Sequence, residues 1–189
     1  MAGRVDEAFR RIDAANAMDP KGAAVEYGRR MSAWVERLRP DAPEELRIAA
    51  RGQHIRRWEI PRAGFSMDRA GYHQWRTTLY AFHADRLAEI MREGGYEDAA
   101  IERVRSIVQK KRIKSDPDAQ TLEDAAALEF LEHDLAEFAA RPDMNEEKLV
   151  DILRKTWGKM SGSGQKLAQT LKLPAQLRAL IGKALNPGS

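Results

Sequence analysis

Apolar residues recur every three or four positions along almost the whole sequence. Nowhere do apolar and polar residues alternate as they do in a half-buried strand. A chain with that period buries its apolar residues as stripes on helices, so the expected fold is all-α. The first stripe is Val5, Ala8, Phe9 and Ile12, and the second is Tyr27, Met31, Trp34 and Leu38. A central helix follows, with Leu46, Ala50, His54 and Trp58 at steps of four. The longest helix, about 67–92, carries Tyr72, Arg76, Leu79, His83, Leu87 and Ile90 inward. Ile101, Val104 and Val108 mark the next, then Leu128, Leu131, Leu135 and Phe138, then Leu149, Ile152, Thr156 and Met160. Breakers fall between these stripes: Asp19-Pro20, Pro40, the loop IPRAGFS, Gly94-Gly95, Asp116-Pro117 and Pro142.

Capping residues sharpen the boundaries. Asp41 with Glu44, Ser66, Thr121 with Asp124, and Asn145 are each placed to begin a helix. The expected architecture is one helical domain over residues 1–160 with about seven or eight helices. The run SGSG, residues 161–164, is expected as a flexible break. A tail over 161–189 follows it, with helical spacing interrupted at Pro174.

The composition removes several function classes. There is no cysteine among the 189 residues, which excludes disulfides, thiolate zinc sites and cysteine nucleophiles. The net charge of +3 does not by itself point to nucleic acid, so any basic surface must come from clustering. No run approaches the roughly 20 apolar residues that span a bilayer. The first residues, MAGRVDEAFRRIDAANAMDP, mix acids with arginines and lack an apolar segment, unlike a targeting peptide. The expectation is a cytoplasmic protein with no membrane partner.

Polar groups interrupt the apolar stripes at three places: His54, His83 and Asp124. Imidazole and carboxylate groups from separate helices are a usual way to hold one divalent ion, which activates a bound water. The same residues also have structural readings. A histidine on an inner face is often a hydrogen-bonded core residue, and Asp124 completes a capping box with Thr121. The cofactor expectation is therefore one divalent ion (Mn, Mg, Fe or Zn) or none.

The order of these groups resembles the HD-domain superfamily of metal-dependent phosphohydrolases. EYGRRMSAWVERL is similar to that family's first histidine helix, with Tyr27 in the histidine's place. LRIAARGQHI is similar to the doublet helix, with Gln53-His54 in place of His-Asp. AFHADRLAEIM, carrying His83, and LEDAAALEFLE, carrying Asp124, are similar to the later elements. The likeness covers about residues 23–135. It implies an HD-like core, with His54, His83 and Asp124 on one metal and Glu59 as a base acting through water.

A second resemblance spans nearly the whole chain. QHIRRWEIPR, MDRAGYHQWR and KTWGKMS are similar to an uncharacterised bacterial and fungal family, some of whose members are labelled as related to glutamyl-tRNA synthetase. The run KMSGS, residues 159–163, resembles the synthetase KMSKS loop. That loop works beside a Rossmann-type sheet and a HIGH motif, and here GQHI is not HIGH and no βαβ pattern exists.

Basic residues supply the rest of the expected site. Arg57 and Arg62 flank Trp58, and Arg76 lies on an inner face, where a guanidinium needs a carboxylate or an anionic ligand. Gln53, Arg57, Arg62, Arg76, Lys155 and Lys159 are the expected phosphate-binding residues, with Trp58 and Trp75 as stacking surfaces. Lys110, Lys111, Arg112 and Lys114 read as a solvated basic helix end. Two functions are consistent with this set. One is a degenerate metal-dependent phosphohydrolase acting on a nucleotide or another phosphorylated small molecule. The other is a non-catalytic module that binds a nucleotide or an RNA end through the same arginines.

Overall fold

The computed structural model describes residues 3–113 and 115–185. Every regular element among them is helical. Ten α-helices are present: α1 (Arg4–Asn16), α2 (Ala24–Leu38), α3 (Glu44–Arg51), α4 (Arg69–Glu93), α5 (Asp98–Val108), α6 (Pro117–Glu129), α7 (Leu135–Ala139), α8 (Glu146–Lys159), α9 (Gly162–Ala168) and α10 (Ala175–Leu185). A π-helical segment, Phe130–Asp134, joins α6 to α7. The all-α expectation holds. Among the described residues no helix is long and apolar enough to cross a membrane.

The chain forms two compact units, Met1–Leu122 and Glu123–Ser189, so the division falls inside α6. The first unit is arranged around α3, which packs against α1, α2 and α5, while α4 packs against α1 and α5. Leu46, Ile48, Ala49 and Ala50 of α3 are completely buried. Two alanines in succession let neighbouring backbones approach. Where α2 meets α3, a Cβ on Gly28 would lie 2.7 Å from the Arg51 carbonyl oxygen, so only glycine fits there. Arg51 closes α3 onto α1 through a two-point ion pair with Asp13.

In the second unit α8 packs on α10. Ser161 caps α9, its hydroxyl accepting from the Gly164 N–H at 3.2 Å. The Asp124 carboxylate in turn accepts from the Ser161 N–H at 2.8 Å and from the Ser161 hydroxyl. A Cβ on Gly164 would sit 2.7 Å from the Asp124 carboxyl carbon. The SGSG run is thus the first turn of a helix clasped to α6, not a flexible break.

Other boundaries shift for local reasons. The central helix ends at Arg51, before His54, because Gly52 lies against Leu87: a Cβ there would be 2.3 Å from a Leu87 methyl. Residues 52–56 are a turn that ends with Arg56 in the left-handed region. Pro43, not Asp41, stands at the start of α3. Asp68 rather than Ser66 caps α4, accepting from the Gly71 N–H at 2.7 Å, with the Ser66 hydroxyl donating to it at 2.9 Å. Residues 109–113 leave the helical path, with Lys110 and Arg112 left-handed. Lys114 lies outside the described residues. Thr121 is inside α6, its hydroxyl donating to the Pro117 carbonyl at 2.8 Å, so it caps nothing. Asn145 caps α8 as its sequence suggests, accepting from the Lys148 N–H at 2.9 Å.

Candidate anion site

The turn after α3 and one face of α4 bring a set of polar groups together in the first unit. The His54 ring stacks on Tyr27 of α2, with centroids 4.4 Å apart and planes 12° from parallel. It lies 5.8 Å from the ring of His83 on α4. His83 is 1% exposed. Its Nδ1–H donates to the Ile55 carbonyl at 2.8 Å, which leaves Nε2 as a buried acceptor without a partner. Gln53, 5% exposed, has its Oε1 buried without a partner as well.

Two arginines complete the cluster. The Arg57 guanidinium lies 4.7 Å above the Trp75 ring, which is fixed by its indole N–H donating to the Ile60 carbonyl at 2.9 Å. Arg76 donates to the Tyr72 hydroxyl at 3.2 Å and to the Tyr80 hydroxyl. Tyr72, Arg76 and Tyr80 fall at steps of four and share one side of α4. Neither arginine has an ion pair with a carboxylate among the described residues. After burial, Tyr27, Arg76, Tyr72 and Tyr80 bear most on Arg57.

The electrostatics follow from that makeup. Burial, then Arg57, His83, Lys110 and Arg76, hold the His54 imidazolium well below its usual range. Burial also pulls His83 down to about 4, against its bond to Ile55 and with help from Arg57. Burial lowers even the Arg57 guanidinium. Both imidazoles are neutral at pH 7, and the permanent positive charge belongs to the arginines. Arg57 and Arg76 bring positive charge with no ion-paired carboxylate among the described residues, an arrangement suited to an anion.

The expected site residues therefore divide. Gln53, His54, Arg57, Trp75, Arg76 and His83 are brought into one neighbourhood of the first unit. Arg62 is at its edge, 5.9 Å from the Trp75 ring, with its guanidinium bonded to the Phe65 and Asp68 carbonyls. Glu59 is exposed and ion-paired with Arg56. Trp58 is half-buried. Lys155 and Lys159 belong to α8 in the second unit, and Lys155 pairs with Asp151 at 2.6 Å. Asp124 also belongs to the second unit, where both its oxygens accept from Ser161.

These residues do not fit a metal ion. Among the described residues no three His, Asp or Glu side chains gather where they would hold one. His83 has a single free nitrogen, sealed in the core, and the Asp124 oxygens are engaged. Tyr27, Tyr72 and Tyr80 also border the cluster, as does Lys110, which is half-buried and not the solvated helix end expected of it. The spacing of Tyr72, Arg76 and Tyr80 was the available signal for two of them, while Lys110 arrives through the left-handed turn after α5. A separate cleft of ≈ 300 Å³, lined by Phe9, Ser32, Val35, Arg39 and Arg47 among others, shares none of these residues.

The chain belongs to the family described as a domain of unknown function (DUF4202), whose model matches residues 6–181. The match bears out the likeness to an uncharacterised family and lends no support to the HD-domain one. No curated protein and no solved structure matches the chain.

Proposed function

We propose that this protein binds the phosphate of a nucleotide-type ligand at Arg57 and Arg76, without a metal and without catalysing its hydrolysis. The observation that carries this reading is that two half-buried guanidinium groups face phenols, an indole and imidazoles instead of carboxylates. A guanidinium withdrawn from water without an acid is costly, and an incoming phosphate relieves that cost with charge-assisted hydrogen bonds. Tyr72, 41% exposed beside Arg76, offers a ring on which a base stacks. Trp75 is less suited to that task because Arg57 covers a face of its ring. The phosphohydrolase alternative needs a metal-donor set that the described residues do not provide.

The test is thermal melting with nucleotides, nucleosides and inorganic phosphate, repeated as salt is raised. Nucleotides at about a hundred times their Kd stabilise the fold by about 2.7 kcal/mol, and nucleosides do not. The increment shrinks with added salt and disappears in Arg57→Gln. Melting that ignores every phosphate compound, or responds only with added Mn²⁺, sinks the reading.

A further inference from the structure

We propose that the anionic group taken by this site is a terminal phosphomonoester, bound as its dianion, and not an internal phosphodiester of a nucleic-acid backbone. The proposal rests on the reading of Arg57 and Arg76 as a phosphate site and assigns the class of phosphate.

Charge balance is the first argument. Two guanidinium groups stand in one cluster, Arg57 over the Trp75 ring and Arg76 bonded to the Tyr72 and Tyr80 hydroxyls, and neither has an ion-paired carboxylate among the described residues. A diester brings one negative charge and leaves one half-buried guanidinium uncompensated. A monoester brings close to two at neutral pH, and three terminal oxygens to receive N–H groups held in fixed directions.

Shape is the second. On the face of α4 that carries the cluster, Tyr72 is 41% exposed, Arg76 and Tyr80 are half-buried, and His83 is 1% exposed. At the His83 end, Ile55, whose carbonyl accepts from His83, and Ala84 are both fully buried. A diester carries chain on both sides of its phosphorus and needs a groove that runs through. A monoester carries chain on one side and ends where the protein closes. The outer, exposed end is the one with the Tyr72 ring.

Isothermal titration of the full chain at constant ionic strength and pH 8 compares adenosine 5′-monophosphate with its methyl phosphodiester and with adenosine. The expected result is that the monoester binds at least about tenfold tighter than the diester. That preference falls toward unity in Arg57→Gln and Arg76→Gln and is partly kept in Arg76→Lys, with folding checked by circular dichroism. Equal binding of monoester and diester, both weakened in Arg76→Gln, overturns the monoester assignment and leaves the phosphate site standing. Absence of binding by every probe overturns both. A 5′-phosphorylated oligoribonucleotide identifies the source of the same group. Binding at least as tight as that of the mononucleotide assigns an RNA end, and binding of the mononucleotide alone assigns a small molecule; the monoester preference holds in either case.

Discussion

Two charged regions of the first unit are built in opposite ways. At the junction of α2, α5 and α6, Arg39 and Arg103 meet Asp116 and Asp118, and every charge has a partner. Asp116 also accepts from the Asp118 N–H at 3.0 Å at the start of α6. Around His54, the cations Arg57 and Arg76 meet only neutral rings and hydroxyls. The first arrangement is complete within the chain and stabilises the packing of three helices. The second leaves Arg57 and Arg76 with no ion-paired carboxylate among the described residues. A buried charge tells little by itself, and what decides between scaffold and site is whether the chain supplies the counter-charge.

Breaking the complete region gives the largest effect. Asp118→Ala leaves Arg39 without its close partner and Arg103 with only Asp116, and lowers unfolding free energy by about 3 kcal/mol in urea denaturation. A loss under about 1 kcal/mol would mean that this cluster behaves as a loose surface pair.

The two regions also separate by pH. The unfolded chain protonates His83 near the ordinary 6.5, while the folded chain resists until about 4. Stability from the neutral imidazole is therefore whole above pH 6.5 and drains away as pH falls toward 4, by about 3 kcal/mol for this one residue. His54 adds to the loss in the same direction. Asp116 is held below its ordinary 3.8, chiefly by Arg103, so the loss it governs begins only as pH falls past that value. Denaturation at pH 7, 5.5 and 4.5 should show the loss in wild type and a flatter profile in His83→Gln. Identical profiles would count against a neutral buried His83.

The smallest change is expected at the cluster around His54. Arg76→Met alters the stability of the ligand-free protein by no more than about 1 kcal/mol, in either direction, because the charge removed had no acid to lose. A loss as large as that of Asp118→Ala in the same urea titration would show Arg76 to be part of the scaffold.

The sequence made the helices legible because burial sets their period. The stripes through Met31, Leu46, Leu87 and Val104 are core in the structure. The His54 ring lies against Tyr27 and His83, but from a turn and not from a helix. Its step of four from Ala50 suggested a continuing helix, while contact between Gly52 and Leu87, thirty-five positions apart, stops that helix. Asp124 shows the same limit. Its spacing from Thr121 matched a cap, yet its partner is Ser161. Arg57 and Arg76 were legible as cations in need of a counter-charge. Their neutral surroundings were not, because Tyr27, Tyr72 and Tyr80 come from two helices whose packing no local pattern encodes. The left-handed turns at Arg56 and Lys110 carry no glycine signature and so had no sequence signal.

The clasp between Asp124 and Ser161 changes how residues 161–164 meet a protease. Small, polar and glycine-rich, they have the composition of a surface nicking site. A protease needs an extended strand of substrate, and here the backbone is coiled into α9 with the Ser161 N–H and hydroxyl both held by one carboxylate. Cleavage must wait for that turn to open. Its rate then reports how often α9 lets go of α6, not how accessible the four residues look in the sequence.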